Sequence, residues 1–133
     1  MLEITNLTKQ KVDKALLKKV FLRAAAVLGS KRLQNISLVF IGDEKMEELN
    51  KKYRHKDRIT DVLSFEELNE IFICLPQAKR QAKLLKTPLQ TELTRLLVHG
   101  IVHLKGYEHE GSKAEMIKMQ DVENRILANL GRI

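Results

Sequence analysis

At 133 residues the chain has the length of one domain, enough to bury a core and too little for two. Hydrophobic residues at 44% and charged residues at 31% exclude a disordered chain, and the lack of any run of eighteen apolar residues excludes a transmembrane helix. The formal net charge is +7, from 24 Lys and Arg against 17 Asp and Glu, and the excess sits in three stretches: Lys9, Lys11, Lys14, Lys18, Lys19 and Arg23; the run Lys51 to Arg58; and Lys79, Arg80, Lys83 and Lys86.

Such a field attracts a polyanion such as RNA, because displaced counterions favour binding at moderate salt. A merely solvated basic surface is the alternative that charge alone leaves open. The start MLEITNLTKQ lacks the sections of a signal peptide, so neither secretion nor membrane insertion is expected. Cys74 is the single cysteine and cannot form an internal disulfide, which suits a cytoplasmic location. The expectation for it is a small buried apolar residue in a strand.

Residues 2 to 7 read as a short strand. Thr8 is then the expected N-cap of a helix reaching about residue 28, with Val12, Leu16, Leu17, Val20, Ala24 and Leu28 on one face and Gly29 as its end. Residues 35 to 41 (NISLVFI) form a β-branched, apolar run suited to a buried strand, and Gly42-Asp43 opens a short helix with Met46, Leu49 and Tyr53. Thr60 to Phe65 and Ile71 to Leu75 are strand-like runs joined by a polar segment of hairpin length, so antiparallel pairing is expected.

Pro76 starts a basic helical segment. Thr87-Pro88 reads as a helix start, Thr as N-cap and Pro in the first helical position, with the helix running to about Leu104. Its apolar residues lie around most of its circumference, which predicts a central helix buried between layers. After Gly111-Ser112 a last amphipathic helix carries Met116, Met119, Val122, Ile126 and Leu130 at spacings of three and four. There is no internal repeat, low-complexity tract or linker.

The chemistry concentrates in His99-Gly100-Ile101-Val102-His103-Leu104-Lys105-Gly106-Tyr107-Glu108-His109. Two histidines four apart on a helix differ by about 40° around the axis and one turn along it, so both rings can reach one ion. Gly106 lets the chain leave the helix and return His109 as a third ligand. Three neutral nitrogens leave one tetrahedral position of a zinc ion open, the arrangement of a catalytic site rather than a structural one. The bland alternative is three unrelated histidines. His55, the fourth, lies in a polar run and reads as simply exposed.

The spacing equals that of the metzincin proteases, HExxHxxGxxH, except that Gly100 stands where their general-base Glu would be. Loss of a general base costs roughly 10²–10⁴-fold in rate, which weakens a proteolytic reading.

HGIVHLKGYEH (99 to 109), NKKYRHKDRITDVLSF (50 to 65) and the strand with its Leu-Pro (71 to 76) resemble the YbeY endoribonucleases, also called rRNA maturation factors, and the likeness extends over nearly the whole chain. The resemblance implies a single α+β domain over residues 1–133, a small mixed sheet of about four strands covered by helices, with the buried helix carrying two metal ligands. It implies one zinc ion on His99, His103 and His109. It further implies cleavage of single-stranded RNA, a role in 16S rRNA 3′-end maturation and ribosome quality control, and ribosomal small-subunit components as partners.

The family's functional arginine matches Arg54. A guanidinium there can hold a phosphate by two hydrogen bonds and stabilise charge growing on its oxygens. Lys56, Arg58, Lys79 and Arg80 are candidates for further phosphate contacts, with ordinary surface cations as the alternative. Thr60, Asp61 and Ser64 are expected to act as turn former and strand-end hydrogen bonders, and Glu108 and Glu110, which flank the third ligand, as exposed loop carboxylates, with orienting a histidine or accepting a proton as the alternative. Two departures from the family pattern, Glu66 after Ser-Phe and Asn69-Glu70 before the next strand on a shorter connection, give the hairpin edge its own charge and shape.

The low aromatic content speaks against an extended base-stacking platform. Zinc-bound water attacking phosphorus and attack by a ribose 2′-hydroxyl are both open mechanisms. So are two other functional classes: a zinc-stabilised RNA-binding ribosome-assembly factor with little catalysis, and a metal-dependent peptidase or small-molecule hydrolase.

Overall fold

A computed structural model of the chain describes residues 1–29, 35–55, 59–105 and 112–130. In chain order these form β1 (Leu2–Asn6), α1 (Lys14–Leu28), β2 (Ile36–Ile41), α2 (Asp43–Arg54), β3 (Val62–Phe65), β4 (Glu70–Cys74), α3 (Leu75–Leu85), α4 (Leu89–Leu104) and α5 (Lys113–Leu130). The sheet order is β1-β2-β4-β3, with β1, β2 and β4 parallel and β3 antiparallel to β4. This is the mixed α+β arrangement expected, with four strands and five helices among the described residues.

β2 is apolar at every position but Ser37 because both of its faces are covered. Ile36, Leu38 and Phe40 join Leu17, Val20, Phe21 and Ala24 of α1, the apolar side of α4, and Met119, Val122 and Ile126 of α5 in the main core. Val39 and Ile41 face the other way, onto Met46 of α2, Leu63 and Cys74. Cys74 is fully buried at the end of a strand, as its sequence context predicts.

α4 packs against α1, α3, α5, β3 and β4, which makes it the central helix of the fold. Leu97, Val98, Ile101 and Val102 are all fully buried. Each such side chain contributes about 1.5–3 kcal/mol by leaving water, so the backbone carrying His99 and His103 is held from several sides. Gly100 faces the sheet: a Cβ there would lie 2.9 Å from Cγ2 and 3.0 Å from Cδ1 of Ile71. The helix can approach β4 this closely only without a side chain at that position.

The helix starts correct the expectations at two places. Thr8 does not cap α1; its amide and hydroxyl donate to Asn6 Oδ1 at 3.0 and 2.7 Å, closing a turn at the end of β1. Asp13 is the cap, accepting from the Leu16 amide at 3.0 Å. A short polar side chain hydrogen-bonds its neighbours in turns as readily as at helix starts, and Asn6 captured Thr8.

At α4, Pro88 rather than Thr87 is the capping residue, with its carbonyl accepting from Thr91 and Glu92. Thr87 instead donates its amide to Ala82, closing α3 behind the left-handed Lys86. Met116, expected on the buried stripe of α5, is 41% exposed because α5 turns its first residues outward.

The β3–β4 connection is a single 3₁₀ turn (Glu66–Leu68) followed by Asn69 at φ 51° and ψ 44°. Asn tolerates this left-handed conformation better than other residues with a Cβ, so it serves where a glycine would be the default. Among the described residues no helix is long and apolar enough to cross a membrane.

Candidate metal and RNA site

His99 and His103 project from the same side of α4, one turn apart. Their ring centroids are 4.6 Å apart with planes at 75°, and the two Nε2 atoms face each other at 3.1 Å. Two imidazole nitrogens bound to one tetrahedral zinc at about 2.0–2.1 Å would stand roughly 3.3–3.4 Å apart. The donor pair therefore fits a small tetrahedral cation with a movement of a few tenths of an ångström. No group of three or more His, Cys, Asp or Glu is gathered for a metal among the described residues. His109, the expected third ligand, lies outside them, as do Lys56, Arg58, Glu108 and Glu110.

The other ring nitrogen of His99 is also engaged. Nδ1 lies 2.5 Å from Oε1 of Glu123, a buried residue of α5. Sequence reasoning did not single out Glu123, although a signal was there: an acidic residue sits on the apolar stripe of Met119, Val122 and Ile126.

Arg54 ends α2, and its Nη2 donates to the backbone oxygen of Ser64 at 2.9 Å while its guanidinium lies 5.7 Å from the Phe65 ring centre. Ser64 Oγ in turn donates to the Gly100 oxygen at 3.2 Å. One residue of β3 thus touches both the arginine and the helix turn that carries His99. The sequence assigned Ser64 only a strand-end role, and this bridge was not foreseen.

His55 caps α2 in a left-handed conformation and is exposed, as its polar surroundings suggest. Tyr53, Phe65 and Phe72 meet edge to face, with Lys52 and Arg54 beside Tyr53 and Phe65. These rings pack edge-on with cations beside them, so their faces are turned to one another and to cationic side chains.

Lys79 donates to Gln10 Oε1 at 3.0 Å, and Arg80 makes a two-pronged pair with Asp43 at 3.0 and 2.8 Å. The hydrogen bond from Arg80, against a smaller opposing effect of burial, holds the Asp43 carboxyl below its usual value. Nearby, burial pushes the Cys74 thiol up to about 12, with the Asp43 carboxylate adding to the shift. A thiol at a helix start is ordinarily activated, so burial decides here, and Cys74 is an inert structural residue.

The first turn of α4 carries a second buried polar group. Glu92, 2% exposed, accepts from Gln81 at 2.6 Å and from Arg95 Nε and Nη2 at 2.9 and 2.6 Å. Asp61 accepts from the Val62 amide at 2.8 Å and from Gln81 at 3.2 Å, which is the strand-end role expected of it. Hydrogen bonding to Glu92, helped by the charges of Glu92, Asp61 and Glu123, raises the Arg95 guanidinium against the opposing effect of burial.

Comparisons with known proteins agree with this architecture. The sequence profile of the family described as Endoribonuclease YbeY matches residues 3–131. Relatives of that name include one from Thermodesulfovibrio yellowstonii, 46% identical over 105 residues, or 71% of this chain and 66% of the relative. Another, from Aquifex aeolicus, is 40% identical across 97% of this chain and 91% of its own length. The solution structure of TM1509 from Thermotoga maritima is similar with a TM-score of 0.64 at 25% identity, covering 99% of this chain and 93% of that one. Sequence profile, relatives and fold thus converge along the full length of the described architecture, and the chain belongs to the Endoribonuclease YbeY family.

Proposed function

We propose that the protein is a zinc-dependent endoribonuclease that cuts single-stranded RNA and acts in the cytoplasm on the 3′ end of 16S rRNA during maturation and quality control of the small ribosomal subunit. The observation that carries the metal part of this reading is the pair of Nε2 atoms facing each other at 3.1 Å on a buried helix. Family membership supports the RNA substrate, since the relatives are named for endoribonuclease activity.

In this reading His99, His103 and His109 bind one zinc ion through ring nitrogens. When bound, the ion supplies Lewis acidity and lowers the pKa of water toward ~7. Arg54 grips a non-bridging phosphate oxygen and stabilises the charge that grows there, with Ser64 anchoring it beside the histidine helix. The basic segments retain the strand without reading its sequence. Gly100 separates the site from a zinc peptidase: position 100 faces Ile71 in the sheet, so a general-base carboxylate has no place there.

The test is cleavage of labelled single-stranded and duplex RNA by the metal-replete protein and by the His103→Ala, His109→Ala and Arg54→Ala variants. The histidine variants should lose zinc and activity together. Arg54→Ala should keep its zinc and lose roughly 10²–10³-fold in rate, as expected for removing one donor to a developing oxyanion. Equal cleavage by all four proteins, or no cleavage by the parent, would remove the proposal. The product ends identify the nucleophile: a 5′-phosphate from attack by water, a cyclic phosphate from attack by the 2′-hydroxyl.

A further inference from the structure

α5 turns Met119, Val122 and Ile126 into the core, and Glu123 shares that buried side at 8% exposure. A carboxylate among apolar residues is costly unless it is hydrogen-bonded, so its position calls for a physical reason. Its Oε1 meets Nδ1 of His99 at 2.5 Å, across the contact between α5 and α4.

A neutral imidazole carries its proton on one nitrogen and a lone pair on the other. An ionised carboxylate only accepts hydrogen bonds, so the proton of His99 belongs on Nδ1 and the lone pair on Nε2. Nε2 is the atom that faces Nε2 of His103.

We propose that Glu123 is a positioning residue: by accepting the Nδ1 hydrogen bond, it fixes both the orientation and the tautomer of His99, so that Nε2 stands ready beside His103 to capture a cation. The inference rests on the metal-binding reading of the two histidines. Without Glu123 the ring is able to rotate about its bond to Cβ or to move its proton to Nε2, and either change removes a donor from the pair. Losing such a partner typically weakens metal binding by about 10–100-fold.

The experiment is zinc titration against a chromophoric chelator for the parent, Glu123→Gln, Glu123→Met and His103→Ala, with thermal melts of each metal-free protein. Methionine matches the length of glutamate and suits the apolar side of α5, so the metal-free Glu123→Met variant is expected to stay folded, with a cooperative melt within several degrees of the parent's. It should bind zinc about 10–100-fold more weakly. Glu123→Gln keeps a carbonyl acceptor and should fall between the two.

Nitrogen-15 NMR of the metal-free parent at mildly alkaline pH adds a readout that needs no variant, and it should find the His99 proton on Nδ1. Parent-like zinc affinity in both Glu123 variants, or a His99 proton on Nε2, overturns the assignment of Glu123 while leaving the metal site standing. A parent that takes up no zinc, or a His103→Ala variant that binds as tightly as the parent, overturns both.

Discussion

Asp43 illustrates how much a single side chain can be asked to do. It opens α2, pairs with Arg80 by two hydrogen bonds and accepts the Cys74 thiol at 3.2 Å. Because Arg80 holds the folded carboxyl below its ordinary value of 3.8, the unfolded chain takes up the proton first. The stabilisation is therefore complete above that ordinary value and is lost as pH falls through the folded one. The pair is partly exposed, so Asp43→Asn should cost no more than about 1 kcal/mol near neutral pH, and urea titrations should show the difference shrinking in strong acid. Cys74 gives a companion prediction. With its thiol pushed up to about 12, it should stay unreactive toward a disulfide reagent at neutral pH until denaturant opens the fold.

At the scale of elements, α4 links fold to site, and Gly100 marks the contact that sets its distance from β4. Gly100→Ala should gain up to about 1 kcal/mol of helix propensity but lose about 1–3 kcal/mol to crowding against Ile71, for a net destabilisation by chemical denaturation. Adding Ile71→Ala should make the Gly100 substitution less costly than it is alone, a coupling that a double-mutant cycle measures.

The helices and strands could be read in the sequence because their apolar spacing follows from burial on one face or two. α4 reads as central because apolar residues cover most of its circumference, and the structure buries them nearly all round. Thr8 and Thr87 misled because a capping side chain or amide is equally useful in a turn, and Asn6 and Ala82 compete for them. Glu123 is hidden for another reason: its partner lies on another helix, and no local pattern records a contact between α5 and α4, whereas the pairing of Glu92 with Arg95 three residues on follows a helical spacing present in the sequence.

Over the whole molecule, the sheet and α5 clamp one helix so that two histidines stand side by side, and β3 sets Arg54 next to that helix. Among the described residues, the two histidines of the candidate site thus stand on a rigid helix, which suits donors that must hold their places. The chain's net charge of +7 is concentrated in three basic stretches. X-ray absorption at the zinc edge of the loaded protein tests the central claim most directly. Three imidazole nitrogens and one oxygen at about 2.0–2.1 Å are predicted. A sulfur scatterer, fewer than three imidazoles, or no retained zinc would contradict it.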